Sequence, residues 1–363
     1  VATIDAARVF TPGGFLGPTR VHLEGGHIAR LEPVATVASD RLLVPGFVDL
    51  QVNGIDDVDV ASARDADWDR LDSLLLAQGV TTWCPTLVTM PLDRYERPLA
   101  RIAAAMDRPS VGRPTIAGAH LEGPFLGRAP GAHPTHLVVA PDQGWLARLP
   151  AHVAVLTIAP EAPGAIDAIR MLAETGRLVS IGHTQCSEAE FDAAVAAGAQ
   201  LTTHLFNGMS GVHHRSPGVA AFALTNPGVS ASIIADRVHV HSRVLALAAT
   251  ALGPERMVLV TDAVAWRAGT AGVIGLEFVD GAPRLPDGTL AGSAVTMPQS
   301  IQNLVDAGVP LEHVLAAAST NPARLLGMRH VGRIEPGMRA DLVALSPTLE
   351  VEQVWVAGSA SHH

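Results

Sequence analysis

Glu122, His183, His204 and Asp262 each sit at the tail of a separate short apolar run, in HLEGP (120–124), IGHT (181–184), THLFN (203–207) and VTDA (260–263). Two neutral imidazoles and one carboxylate can hold a divalent metal and leave an open position for water. A further carboxylate can then accept the proton of that water. A lone histidine in an apolar strand is ordinarily a hydrogen-bonded core residue. Two histidines and two acids placed alike at four run ends are better explained by one shared centre. The chemistry to which they point is metal-dependent hydrolysis.

Such a centre needs a scaffold that brings distant run ends together. Eight β-like runs follow one another at 48–53, 80–86, 115–122, 153–161, 177–184, 199–207, 229–236 and 256–263. Most are nearly continuous in apolar or small residues, as expected of parallel strands covered on both faces. Helical patterns separate many of them: 68–79, 92–106 with a kink expected at Pro98, 164–176, and 187–198. The last opens with Ser187 and Glu190 at capping-box spacing and closes on Gly198. The alternation predicts an α/β chain built as a (β/α)8 TIM-like barrel, whose chemistry lies at the C-terminal ends of its strands. The four residues belong to runs three, five, six and eight.

The chain ends differ in character. Residues 1–44 and 332–358 read as short antiparallel strands joined by Gly/Pro turns. Neither stretch has enough apolar area to stand alone, so both are expected to form one small β-sandwich domain beside a barrel spanning 45–331. Residues 264–290 suggest a hairpin insertion, and 296–327 supply closing helices.

Composition narrows the function classes. The chain has 363 residues and a net charge of −10, which argues against a nucleic-acid partner that needs a broad basic surface. No apolar run approaches the ~20 residues that span a bilayer, and no signal pattern opens the chain, so a cytoplasmic protein without a membrane partner is expected. Cys84 and Cys186 lie in separate apolar segments without CxxC spacing and read as reduced thiols. All 25 basic residues are arginine. Schiff-base chemistry, a Walker-type phosphate loop and a carboxylated-lysine metal bridge are therefore excluded.

Longer segments carry a resemblance. PGFVDLQVNG (45–54), HLEGPFL (120–126), GAHP (131–134), THLFNGMSGVHHRSPG (203–218), IIADRVHVH (233–241) and LAGSAVTM (290–297) resemble the N-acetylglucosamine-6-phosphate deacetylase family of the amidohydrolase superfamily. The resemblance runs over nearly the whole length, and the 203–218 segment is its most specific part. It implies that Glu122, His183 and His204 bind the metal and that Asp262 moves the water's proton to the departing amine. It implies that His133 hydrogen-bonds the amide carbonyl. Asn207, Gly208, His239 and Arg215 are similar to the family's phosphate-side contacts, Arg215 reaching in from a neighbouring subunit of a homodimer. Many barrels of this superfamily carry a His-x-His pair on the first strand. Gln51 and Asn53 stand there instead, and amides are poor ligands for zinc or iron, so one divalent ion per subunit is expected. Zinc and iron both suit the Glu/His/His set.

The resemblance implies an enzyme that hydrolyses N-acetylglucosamine 6-phosphate to glucosamine 6-phosphate and acetate. The N-acetylgalactosamine epimer or another N-acyl amine is the alternative substrate, and a catalytically silent binding scaffold is the alternative class. Two departures bear on the phosphate side: Gly208 stands where the family often has alanine, and Arg237 where it often has glycine. Arg237 would either enrich that pocket or block it, and the 126–134 loop lacks the lysines common there.

Overall fold

The computed structural model describes residues 2–109 and 111–361. Eight parallel strands form the barrel: β1 (Phe47–Val52), β2 (Val80–Val88), β3 (Ala119–Glu122), β4 (Val153–Ile158), β5 (Leu178–Ile181), β6 (Leu201–Thr202), β7 (Ser230–Ile234) and β8 (Met257–Val260). Each pairs with the next in chain order, from β1 with β2 to β7 with β8. A bridge between Val52 and Ala263 brings the last strand back to the first, and the Asn53 N–H donates to the Ala263 carbonyl at 2.8 Å. All eight predicted runs are barrel strands, although the third breaks around Gly118 and the sixth is paired over two residues only.

The helices correspond as well, with one correction. A short 3-10 turn at Leu92–Arg94 precedes the helix Glu96–Met106, so Pro98 lies in that helix's first turn rather than at an internal kink. Proline is tolerated there because first-turn N–H groups have no intrahelical acceptor. Ser187 and Glu190 form the full capping box of the helix Glu188–Ala196. The 264–290 insertion holds two hairpins, Thr270–Ala271 with Ile274–Gly275 and Glu277–Val279 with Ala282–Arg284.

Strands from both chain ends build a small β domain. A three-stranded sheet (Ala2–Ala6, Thr19–Glu24, His27–Pro33) lies against a six-stranded one. In the larger sheet Leu342–Leu345 pairs antiparallel with Leu42–Pro45. Ile4, Val9, Val21, Ile28, Leu43 and Leu342 pack between the sheets. Burying each such side chain contributes roughly 1.5–3 kcal/mol, and the cluster draws on both chain ends. Among the described residues, no helix is long and apolar enough to cross a membrane.

The barrel interior is unusually polar at its seam. Asp49 on β1 accepts hydrogen bonds from the Gln51 N–H at 3.2 Å and the Thr261 hydroxyl at 2.6 Å, tying β1 to the end of β8. Burial pushes the Asp49 carboxyl up to about 7, against the Thr261 and Gln51 hydrogen bonds, which favour its charged form. A carboxyl raised in the folded state contributes stability that is complete below its unfolded pKa and is lost as pH climbs toward the folded value. Asp49→Asn removes this dependence. The stability difference between variant and wild type, read from urea unfolding, should therefore shift in the variant's favour from pH 4 to pH 7; a pH-independent difference would refute it.

Candidate metal centre

Glu122 is the last residue of β3, and His183, His204 and Asp262 each lie two residues beyond β5, β6 and β8. All four are buried at the C-terminal mouth. His183, His204 and Asp262 have positive φ angles of 50°, 31° and 49°. Non-glycine residues rarely occupy that region, at a cost of order 1–3 kcal/mol each. Here the turn bends each side chain off its strand toward the barrel axis.

Three donor atoms meet at one point. Glu122 Oε1 lies 3.1 Å from His183 Nε2 and 2.9 Å from His204 Nε2, and the two nitrogens are 3.1 Å apart. A tetrahedral ion with bonds near 2.0–2.2 Å sets its ligands about 3.3 Å apart, close to this triangle. The tautomer of His183 favours a cation too. His183 Nδ1 faces the Ala129 carbonyl at 3.2 Å, and since a carbonyl cannot donate, that nitrogen carries the proton. A single proton on Nδ1 leaves the Nε2 lone pair pointing at a carboxylate oxygen and at another imidazole. His204 Nδ1 is buried with no hydrogen-bond partner among the described residues. Burial works to raise Glu122, yet its close contacts with the imidazoles of His183 and His204 outweigh it and hold the carboxyl well below its ordinary range. The donor set fits a divalent ion.

His133 is a fourth nitrogen nearby, its Nε2 3.8 Å from Glu122 Oε2. Glu122, His133 and His183 would also pass as a metal-holding group on distance alone. The tighter triangle with His204 is the better ligand set, because His133 is engaged elsewhere. Its Nδ1 accepts from the Thr89 hydroxyl at 2.8 Å and the Thr89 N–H at 3.4 Å. Those donors leave the proton on Nε2, and burial, then the adjacent His183, hold the ring down to about 3, so it is neutral at pH 7. His133 thus presents an N–H donor toward the carboxylate.

Gln51 and Asn53 have working roles that residue type alone did not reveal. The Gln51 amide donates to Glu122 Oε1 at 2.9 Å, and the Asn53 amide donates to Asp262 Oδ1 at 2.7 Å. Burial, then the charge of Glu122, raise Asp262 well above the usual carboxylate range. Such a group can hold a proton at the centre.

One cavity of about 400 Å³ joins these residues to Asn207, Gly208 and His239. His239 Nδ1 is paired with Asp236 at 2.6 Å. Arg215 is the exception: it lies exposed in the 210–217 loop and does not line this cavity within one chain. Arg237 neither enriches nor blocks the pocket, since it lies outside the lining and its guanidinium bonds Asp306 at 2.6 Å. Its φ of 67° explains why glycine suits that position. Arg284, from the second hairpin, does line the cavity and was not foreseen. The hairpin was legible, but not the direction in which its arginine turns.

The amidohydrolase family profile matches residues 42–360. The chain belongs to the amidohydrolase family. It is 35% identical to the N-acetylgalactosamine-6-phosphate deacetylase of Escherichia coli O157:H7, with 98% of each chain covered. It is also 35% identical to the N-acetylglucosamine-6-phosphate deacetylase of Vibrio furnissii, over 87% of this chain and 82% of that one. A solved structure of a mutant N-acetyl-D-glucosamine-6-phosphate deacetylase from Mycobacterium smegmatis, in complex with N-acetyl-D-glucosamine 6-phosphate, is similar with a TM-score of 0.91. The two share 32% identity over 99% of this chain and 98% of that one.

A ligand that binds only the folded amidohydrolase raises its stability by about 2.7 kcal/mol at 100 times Kd. Zinc should therefore raise the melting temperature of the metal-stripped protein, and Glu122→Gln should abolish most of that rise. An unchanged zinc-induced shift in Glu122→Gln would rule out the triangle as the metal site.

Proposed function

We propose that this amidohydrolase removes the N-acetyl group of an N-acetylhexosamine 6-phosphate, with N-acetylglucosamine 6-phosphate as the first candidate, giving the free amino sugar phosphate and acetate. The observation that carries the reading is a single cavity bounded by the Glu122/His183/His204 triangle, Asp262, His133 and the Asn207–Gly208 turn. Two of the relatives that support it act, by name, on different epimers. The galactosamine reading is kept because that relative matches over 98% of both chains.

An amide is a poor electrophile with a poor leaving group. One divalent ion, zinc or iron, held by Glu122, His183 and His204 would polarise the carbonyl and acidify water at the site. Asp262 takes the proton that water loses as its oxygen bonds the acetyl carbon. It delivers that proton to the sugar nitrogen as the C–N bond breaks, leaving acetate and the amine. The Nε2–H of His133 donates to the carbonyl oxygen as negative charge builds there. Asn53 orients the carboxylate of Asp262 through its amide. Asn207, the Gly208 backbone and His239 take the phosphate side. Arg215 completes it from the partner subunit of a homodimer, which accounts for its exposure in the single chain.

Acetate release should be measured from both epimeric 6-phosphates and from unphosphorylated N-acetylglucosamine. Turnover should favour a phosphorylated sugar; equal rates without phosphate would sink the phosphate assignment, and no release from any would favour a binding scaffold. Asp262→Asn should lower kcat about 10²–10⁴-fold while metal binding persists, the usual range for losing a proton-transfer group; wild-type turnover would exclude that role. Arg215→Ala should raise KM about 10-fold or more with kcat nearly unchanged, since a charge-assisted bond to phosphate is remote from the reacting amide. A pure kcat loss, or a fully active monomer, would contradict it.

A further inference from the structure

Glu161, three residues beyond β4, is an acid that the proposed reaction does not use. Its side chain is only 5% exposed. Oε1 accepts from the Arg128 N–H at 3.0 Å and the Gln185 N–H at 2.9 Å, and Oε2 accepts from the Thr184 hydroxyl. The two groups of donors belong to different segments. Thr184 and Gln185 directly follow His183, while Arg128 belongs to the 126–134 loop that carries Ala129 and His133. The same two segments meet again where the Gly127 N–H donates to the His183 carbonyl at 2.9 Å. Gly127 permits this approach, because a Cβ there would lie 2.1 Å from Glu161 Oε1.

These contacts bracket one imidazole. The chain on the C-terminal side of His183 is tied to Glu161. So is the loop whose Ala129 carbonyl accepts the Nδ1–H of His183 at 3.2 Å. A ligand imidazole is held in tautomer and orientation by the acceptor on its other nitrogen, so whatever fixes that acceptor acts on metal affinity.

We propose that Glu161 is a positioning residue for the metal centre. It locks the 126–134 loop to the end of β5 and thereby aims His183 Nε2 at the Glu122 and His204 donors. The proposal rests on reading Glu122, His183 and His204 as the metal site, and the test separates the two.

Zinc affinity is measured on the metal-stripped full-length protein by competition with a chromophoric chelator, and urea midpoints are recorded without metal. Glu161→Ala should bind zinc about 10–100-fold more weakly than wild type, the range for losing an outer partner of a ligand. Glu161→Gln should stay within about 3-fold, because its carbonyl oxygen can still accept both backbone N–H groups. Gly127→Ala keeps the carboxylate but drives it aside, and should weaken zinc as Glu161→Ala does. Gly127 does not have a positive φ, so alanine is not strained there by backbone conformation, and this variant serves if Glu161→Ala does not fold. Leu252→Ala, in a buried position of the helix Ser242–Arg256, should lower the urea midpoint without changing zinc affinity. Wild-type affinity in both Glu161→Ala and Gly127→Ala overturns the positioning role. A wild-type protein that takes up no stoichiometric zinc overturns the centre itself.

Discussion

Three buried donor atoms converge within 3.1 Å of one another around Glu122 Oε1. A carboxylate taken into such a place is costly unless opposite charge or hydrogen bonds compensate it. A single proton on His183 Nδ1, facing the Ala129 carbonyl, leaves its Nε2 able to supply neither. A cation between the donors resolves the conflict, and the surrounding architecture can be understood as the means of holding them there. The positive φ angles at His183, His204 and Asp262 belong to the same compromise. Local backbone strain is accepted at three strand ends, and the barrel's apolar packing more than offsets it.

β1 shows how the scaffold is coupled to the centre. Successive side chains alternate across a strand, so Asp49, Gln51 and Asn53 share its inner face. Each reaches a different partner: Asp49 bonds Thr261, Gln51 bonds Glu122, and Asn53 bonds Asp262. One strand thus fastens the barrel seam and the carboxylates of Glu122 and Asp262 in ascending order. The two amides are positioned as donors to acids.

Much of this was legible in the sequence because it depends on local pattern. Near-continuous apolar runs announced the parallel strands, and Ser187 with Glu190 announced a helix start. The position of Glu122, His183, His204 and Asp262 at run ends is a consequence of where barrel strands terminate. Less legible were features set by partners distant in the chain. Arg237 turns toward Asp306, 69 residues away, so its charge misled about the pocket. Pro98 looked like a kink because the 3-10 turn before it continues the helical spacing. Glu161 carried no motif, since its role lies in joining backbone N–H groups from two loops. Arg215 is recognisable by its segment, yet a single chain leaves it exposed and outside the cavity.

X-ray absorption at the metal edge of the zinc-loaded protein reads the ligand shell directly. Two imidazoles with oxygen neighbours, and no metal–metal scattering, is the result expected of a single ion between Glu122, His183 and His204. A third imidazole would bring His133 into the ligand set, and a second metal nearby would mean that Gln51 and Asn53 do not prevent a binuclear site. Either result would contradict a mononuclear centre with His133 and Asp262 left free for the substrate.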